Sequence, residues 1–223
     1  MGNFDAYLMG LDDDLHEAYL PGGSAVPHFE EVYNAIIETN IEHAAQLYLD
    51  APVRSDDDYD DLDDEELDDE DSKGQMKGSA IADPFIEQPY NMVITSIKEE
   101  DSLAFTDDEL WQFSTRDVDP PGPGMIAQLT LASGGHHNVV AGATGYVKLV
   151  RVWTKTGANG EVMELFDGYL SLEVVFDWSL RFKGHGTTET HGLSFWAVRA
   201  KKDENGKEIG LSCQRDVSPQ CGY

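Results

Sequence analysis

The clearest periodicity in the chain lies near its carboxyl end. Leu170, Leu172, Val174, Phe176, Trp178, Leu180 and Phe182 occupy alternate positions, with Ser171, Glu173, Asp177, Ser179 and Arg181 between them and Val175 as the exception. A period of two places one row of side chains on one face of extended backbone, so the stretch predicts a half-buried strand of about 14 residues, longer than the usual five or six. Tyr90–Ile97, Met125–Leu131, Gly145–Thr154 and Leu193–Ala200 read as further strands. Gly157-Ala-Asn-Gly160 and Asn205-Gly206 supply hairpin turns, the second returning the chain through Lys207–Cys213. Gly134-Gly135 and Gly142-Ala-Thr-Gly145 read as turn-formers between strands, and Asp119-Pro-Pro-Gly-Pro-Gly124 as a rigid turn.

Helical spacing is confined to the first half. Leu8, Leu11, Leu15, Ala18 and Tyr19 form one apolar stripe, stopped by Pro21-Gly-Gly-Ser24. A longer helix is expected from Pro27 to Pro52, with Glu30 and Glu31 at its positive end. Phe29, Val32, Tyr33, Ile36, Ile37, Ala44, Leu47 and Tyr48 give it a face broad enough to dock on a body of protein. Thr106-Asp-Asp-Glu109 is a capping-box pattern opening a short helix. Helices come early and strands late, without βαβ alternation. The expected class is therefore mainly β with N-terminal helices, an antiparallel two-sheet β-sandwich of jelly-roll-like form. The expected organisation is a helical region over 1–54, an acidic disordered linker over 55–80 and a β-sandwich over 81–223.

Charge adds a second division. The formal net charge is −28, yet residues 134–223 hold ten basic and ten acidic side chains, so the whole excess lies before them. Its densest part is residues 55–72, with thirteen acidic side chains and only Tyr59, Leu62 and Leu67 to bury. Such a run stays unfolded unless a cationic partner neutralises it, and its plainest role is a solvated linker. Read functionally, it mimics a phosphate backbone for a basic protein partner; it lacks the spacing of a calcium loop. A general grip on nucleic acid or an anionic membrane is not expected, because phosphate binding draws on Lys and Arg. No apolar run approaches the roughly 20 residues of a membrane span, and the start lacks the grading of a secretion signal.

Candidate chemistry is sparse. His185, Glu189 and His191, with Cys213, are the donors that neighbouring strands would need to gather for a metal ion, but their spacing matches no zinc motif. His136-His137 sits in a glycine-rich loop, and Cys213 and Cys221 read as unreactive thiols. Glu173 and Asp177 beside Arg181 read as solvated groups rather than an acid–base pair. Arg199, Lys201, Lys202 and Lys207 near Phe195 and Trp196 read as the charged guard of an edge strand rather than a nucleic-acid contact. No catalytic residue, cofactor site or cofactor is assigned.

Gly124-Met-Ile-Ala-Gln-Leu-Thr-Leu-Ala-Ser133, followed by a glycine-rich loop and a long Gly-led strand, resembles the closing strands of jelly-roll coat proteins of small icosahedral RNA viruses. Gly145–Trp153 or Asp167–Trp178 fills the last role, and the likeness covers about 60 residues. It implies a self-assembling shell built through lateral contacts, without catalysis. The acidic amino-terminal half departs from the basic arm that many coat proteins carry. The functional expectation is a homo-oligomeric capsid or virion component, cytoplasmic if not viral. The alternatives are an acidic nucleic-acid mimic acting through 55–72 and a small enzyme with a pocket between the helices and the sheet.

Overall fold

Eight strands carry the architecture: β1 (Phe4–Leu8), β2 (Ala45–Leu49), β3 (Gly74–Ala82), β4 (Pro89–Leu103), β5 (Gly122–Leu131), β6 (Val140–Thr156), β7 (Val162–Phe176) and β8 (Thr188–Arg199). Each pairs antiparallel with its neighbours in sequence, and β1 pairs back onto β8, so the sheet closes into a barrel. The structure is a computed structural model and describes residues 3–9, 15, 18–20, 27–38, 44–49, 72–82, 89–111, 113, 121–131, 140–158, 160–184, 186–206 and 208. Its helices among these are α1 (Phe29–Glu38), α2 (Asp107–Leu110) and α3 (Trp178–Phe182).

The β-rich antiparallel class is as expected. The two-sheet sandwich is not what these strands make: they form one ring with meander order 1 to 8. Eight strands enclose an interior just wide enough for side chains to fill. Inward rows from every strand fill it, including Phe4, Leu47, Met76, Met92, Leu129, Leu149, Phe166, Leu172 and Phe195. Gly168 leaves room for the Phe195 ring, which lies where a Cβ at that position would be. Ala6, Met76, Leu170 and Phe195 line a small apolar hollow within the barrel.

Several boundaries differ from the sequence reading. Leu8 ends strand β1, although Leu15, Ala18 and Tyr19 are helical as expected. The second helix stops at Glu38, and Ala45–Leu49 is a strand whose Ala45, Leu47 and Leu49 point inward. Hydrogen bonding explains this, because β1 and β3 each need β2 as a partner and a helix offers them none. The acidic region likewise gives up its end: β3 starts at Gly74, so the barrel draws on 1–54, 55–80 and 81–223 alike. Gly142 and Gly145 lie inside β6 rather than in a turn, and β5 begins within the Pro-Gly run at Gly122. The stretch 159 and the run 132–139, with most of 55–72 and 209–223, lie outside the described residues.

The long alternating stretch divides in two. Strand β7 ends at Phe176, and Asp177 caps α3 by accepting a hydrogen bond from the Ser179 N–H at 2.8 Å. Leu180 then turns into the barrel core while Trp178 and Phe182 face solvent. Alternation at 178, 180 and 182 looks the same in a strand and in one turn of helix; the Asp-x-Ser cap decides between them.

A second apolar cluster lies outside the barrel. Val32 and Ile36 of α1, with Leu15 and Tyr19, cover Tyr7, Leu165, Trp196 and Val198 on β1, β7 and β8. These strands are buried on both faces, which explains the unbroken apolar run Phe195-Trp-Ala-Val198. The expected docked helix is thus present, though shorter. Lys201 fastens it: its ammonium donates to the Ile36 carbonyl at 2.7 Å, supplying a cation at a helix end whose own last turn has none. Burial holds the Lys201 pKa below the ordinary lysine value, with Asp5 opposing that shift.

Candidate functional site

The strand directions give the barrel two ends. At the mouth, where β1, β3, β5 and β7 begin, three inward rows finish in charged residues: Arg151 on β6, Glu164 on β7 and Arg199 on β8. Arg151 Nη1 lies 2.9 Å from Glu164 Oε1, and Arg199 Nη2 lies 2.9 Å from Oε2. The Arg199 guanidinium also sits 4.5 Å from the Phe4 ring centroid and 5.5 Å from that of Phe166. Phe4 and Phe166 meet edge to face at 5.1 Å below it. Burial alone would raise the Glu164 pKa, but the hydrogen bonds from Arg151 and Arg199 outweigh it and hold the carboxyl below its usual value. Two cations on one carboxylate leave a single positive charge in excess, with the Arg151 and Arg199 side chains 35 % and 43 % exposed.

A second polar cluster lies on the barrel's outer wall. The capping box at Thr106 and Glu109 is formed as the spacing predicts. Glu109 does more than cap: its carboxylate accepts from Tyr146 Oη and Lys148 Nζ, each at 2.7 Å, and from the Thr106 N–H at 2.7 Å. Burial pushes the Glu109 pKa up, and these hydrogen bonds more than reverse it. Tyr146 is pushed well above the ordinary tyrosine value, first by burial and then by the Glu109 carboxylate. Phe113 packs nearby against Phe105 and Tyr169. With every oxygen of Glu109 engaged, the arrangement anchors α2 to β6 and offers no free base.

The base of the barrel is closed differently. Leu180 of α3 plugs it from below, and the helix presents Trp178 and Phe182 to solvent, 73 % and 87 % exposed. Arg181 and Lys183 are exposed beside them. Arg181 Nε donates to the Phe176 carbonyl at 2.9 Å, which ties the helix to the strand it follows.

The residues singled out from sequence are scattered. Glu189 and His191 lie on β8 opposite Val174 and Leu172, while His185, His136, His137, Cys213 and Cys221 fall outside the described residues. Among the described residues no three His, Cys, Asp or Glu side chains gather as a metal site. Glu173 is exposed on β7 and Asp177 is occupied as a cap. The basic group near Phe195 and Trp196 does not guard an edge, because β8 pairs on both sides over Phe195–Val198. Both rings are buried and unavailable for stacking on bases. Of the expected return strand Lys207–Cys213 only Glu208 is among the described residues; it bridges to Lys202 around a turn closed by Gly206 N–H on the Asp203 carbonyl.

Sequence reading missed the mouth. The signal was present, because Glu164, Arg199 and Arg151 each extend an apolar alternate row by one step: Glu164 before Phe166 and Gly168, Arg199 after Phe195 and Ala197, Arg151 after Val147 and Leu149. A charge at the end of an inward row marks the rim of a barrel.

Comparison with protein-family models, with curated proteins and with solved structures finds no match to this chain. Among the described residues no helix is long and apolar enough to cross a membrane. The barrel's inner face is apolar, while Lys98, Gln128 and Glu173 are exposed on its outside, the reverse of the polarity of transmembrane barrels.

Proposed function

We propose that this chain is a structural, self-associating protein that works through its outer surface and its two ends. The observation that carries the reading is a barrel filled by its own side chains, plugged by Arg151, Glu164 and Arg199 at one end and by Leu180 at the other. Where the enzyme alternative would have its pocket, between the N-terminal helices and the sheet, Tyr7, Val32, Ile36 and Trp196 are packed together. The narrower form of the reading, a capsid shell component, draws on the coat-protein resemblance; the meander order of the barrel lends it no support. Size-exclusion chromatography with light scattering tests the proposal. Mass rising with concentration is expected, and a strict monomer at every concentration and salt overturns it.

A second reading is favoured by the placement of the charge. The acidic run follows β2 and precedes β3 in sequence, and the flanking pair Leu49 and Gly74 lies at the mouth; its thirteen carboxylates would attract a basic protein. Deleting 55–71 abolishes such binding and leaves the barrel's unfolding transition in place. Retained binding by the deleted chain removes this reading.

A further inference from the structure

We propose that the free edge of β8, Thr188–Gly192, pairs antiparallel with the same edge of a second copy of this chain, Glu189 lying against the partner's His191. The proposal rests on the self-association reading and gives it a contact and a stoichiometry. The barrel closes unevenly. Strand β8 pairs with β7 from Thr188 to Val198, but β1 has only five residues and covers it from Phe195 to Arg199. The Met9 N–H adds one bond to the Ser194 carbonyl at 3.2 Å. From there towards the base, no strand among the described residues lies along β8 on that side. Thr188, Glu189 and Thr190 are exposed there, and His191 and Gly192 are half-buried.

Alternation along the strand says which backbone groups face this edge. Successive residues turn their N–H and C=O to opposite sides. The Phe176 N–H donates to the Thr187 carbonyl at 3.0 Å, so odd-numbered residues serve β7. On the β1 side, the Ser194 carbonyl accepts from Met9 and the Ala200 N–H donates to Asn3, so even-numbered residues face the other way. The pairing with β7 runs without a register shift, and Thr188, Thr190 and Gly192 therefore offer N–H and C=O to the free edge. Such a row is a template for another strand.

The side chains on the edge select a second copy as the occupant. A two-fold axis beside Thr190 sets Thr190 against its own copy, Thr188 against the partner's Gly192, and Glu189 against the partner's His191. The first two kinds of pair exchange both backbone bonds. The Glu–His pairs fall between them, at the positions where facing side chains stand closer, and opposite charge there attracts. Moving the axis to Glu189 sets two carboxylates together, and moving it to His191 sets two imidazoles together. Glu173 lies opposite Thr190, on the other face from Glu189. Its two copies would stand three strand spacings apart, about 14 Å, where salt screens them. Strand β4 also outruns its neighbour, pairing with β3 only as far as Ile94, but its free stretch carries Glu99, Glu100 and Asp101 and repels a copy of itself. Two-fold pairing consumes the edge, so assembly through it stops at a dimer.

Sedimentation velocity on the full chain tests it. The wild type should pass from monomer to dimer, and no further, as concentration rises; so short an edge buries less than the roughly 1,200 Å² of a standard interface, and the dimer is weak. Thr190→Pro removes an N–H that β7 does not use, so the unfolding midpoint should hold while the dimer Kd rises at least about tenfold. Glu189→Lys and His191→Glu should each weaken the dimer, and an equal mixture of the two should recover it, because opposite charge returns at both pairs. Association left intact by any of the three variants, or not recovered in the mixture, makes this contact wrong while self-association stands. A wild type that is monomeric at every concentration overturns both. Hydrogen exchange supplies a second measurement: the Thr188, Thr190 and Gly192 amides should gain protection as concentration rises. Protection already complete in the monomer would mean that the chain covers its own edge, and overturns the proposal.

Discussion

The two ends of this barrel solve one problem by opposite means. At the mouth the core is sealed by charge: Arg151 and Arg199 close over Glu164, and Arg199 lies against Phe4 and Phe166. At the base it is sealed by one leucine on a five-residue helix. The charged seal needs its partners ionised and paired, so its strength follows pH. The apolar seal needs only volume, and follows temperature and packing instead. The same barrel therefore has one end sealed by ionised side chains and one plugged by a side chain that carries no proton to gain.

Four substitutions sharpen that contrast. The largest effect is expected at the base, where Leu180→Ala should cost about 2–5 kcal/mol by denaturant unfolding, nearer the lower figure because the site borders solvent. Its loss should be the same at pH 7 and pH 4. Next comes Glu164→Gln, which forfeits charge-assisted hydrogen bonds worth about 1.5–3 kcal/mol at neutral pH. The folded pKa of Glu164 lies below its usual 4.5, so its contribution is complete above that value and is lost as pH falls from there through the lower folded value. The variant should accordingly show a shallower acid dependence than wild type, with the remaining slope in this window supplied partly by Glu109, whose pKa is also lowered. An unchanged acid profile would show that the mouth is not a charge-dependent seal. Third, Asp177→Ala should remove about 1 kcal/mol through the lost cap, read as a lower thermal midpoint. Smallest is Trp178→Ser, within about 0.5 kcal/mol of wild type, because an exposed side chain has little to lose on folding. A large loss there would mean that the ring is buried in the folded chain.

Much of the barrel wall was legible in the sequence. Met125–Leu131 and Gly145–Thr154 fall within strands, Leu193–Ala200 does so up to Arg199, and Thr106 with Glu109 forms the box that its spacing announces. The Gly157–Gly160 hairpin is in place, with Gly160 at φ +82°, where glycine is favoured. Ring closure was not legible, because period-two patterning says which face is buried and nothing about whether the first strand meets the last. Short elements were lost for a related reason. Five residues such as Ala45–Leu49 fit helical and extended spacing equally, and only pairing with β1 and β3 decides. The polar clusters were hidden by distance, since Glu109 meets Lys148 and Glu164 meets Arg199 only after the wall has formed.

The seam between β1 and β8 has a consequence for how the protein comes into being. Phe4 stands opposite Arg199 across this seam, so β1 waits until β8 has been synthesised before its partner exists. Throughout that interval the nascent sheet has two raw margins able to pair with any neighbour, which is the circumstance in which β proteins coagulate. A strongly anionic leading half, synthesised first, keeps half-made molecules apart until the seam is sewn.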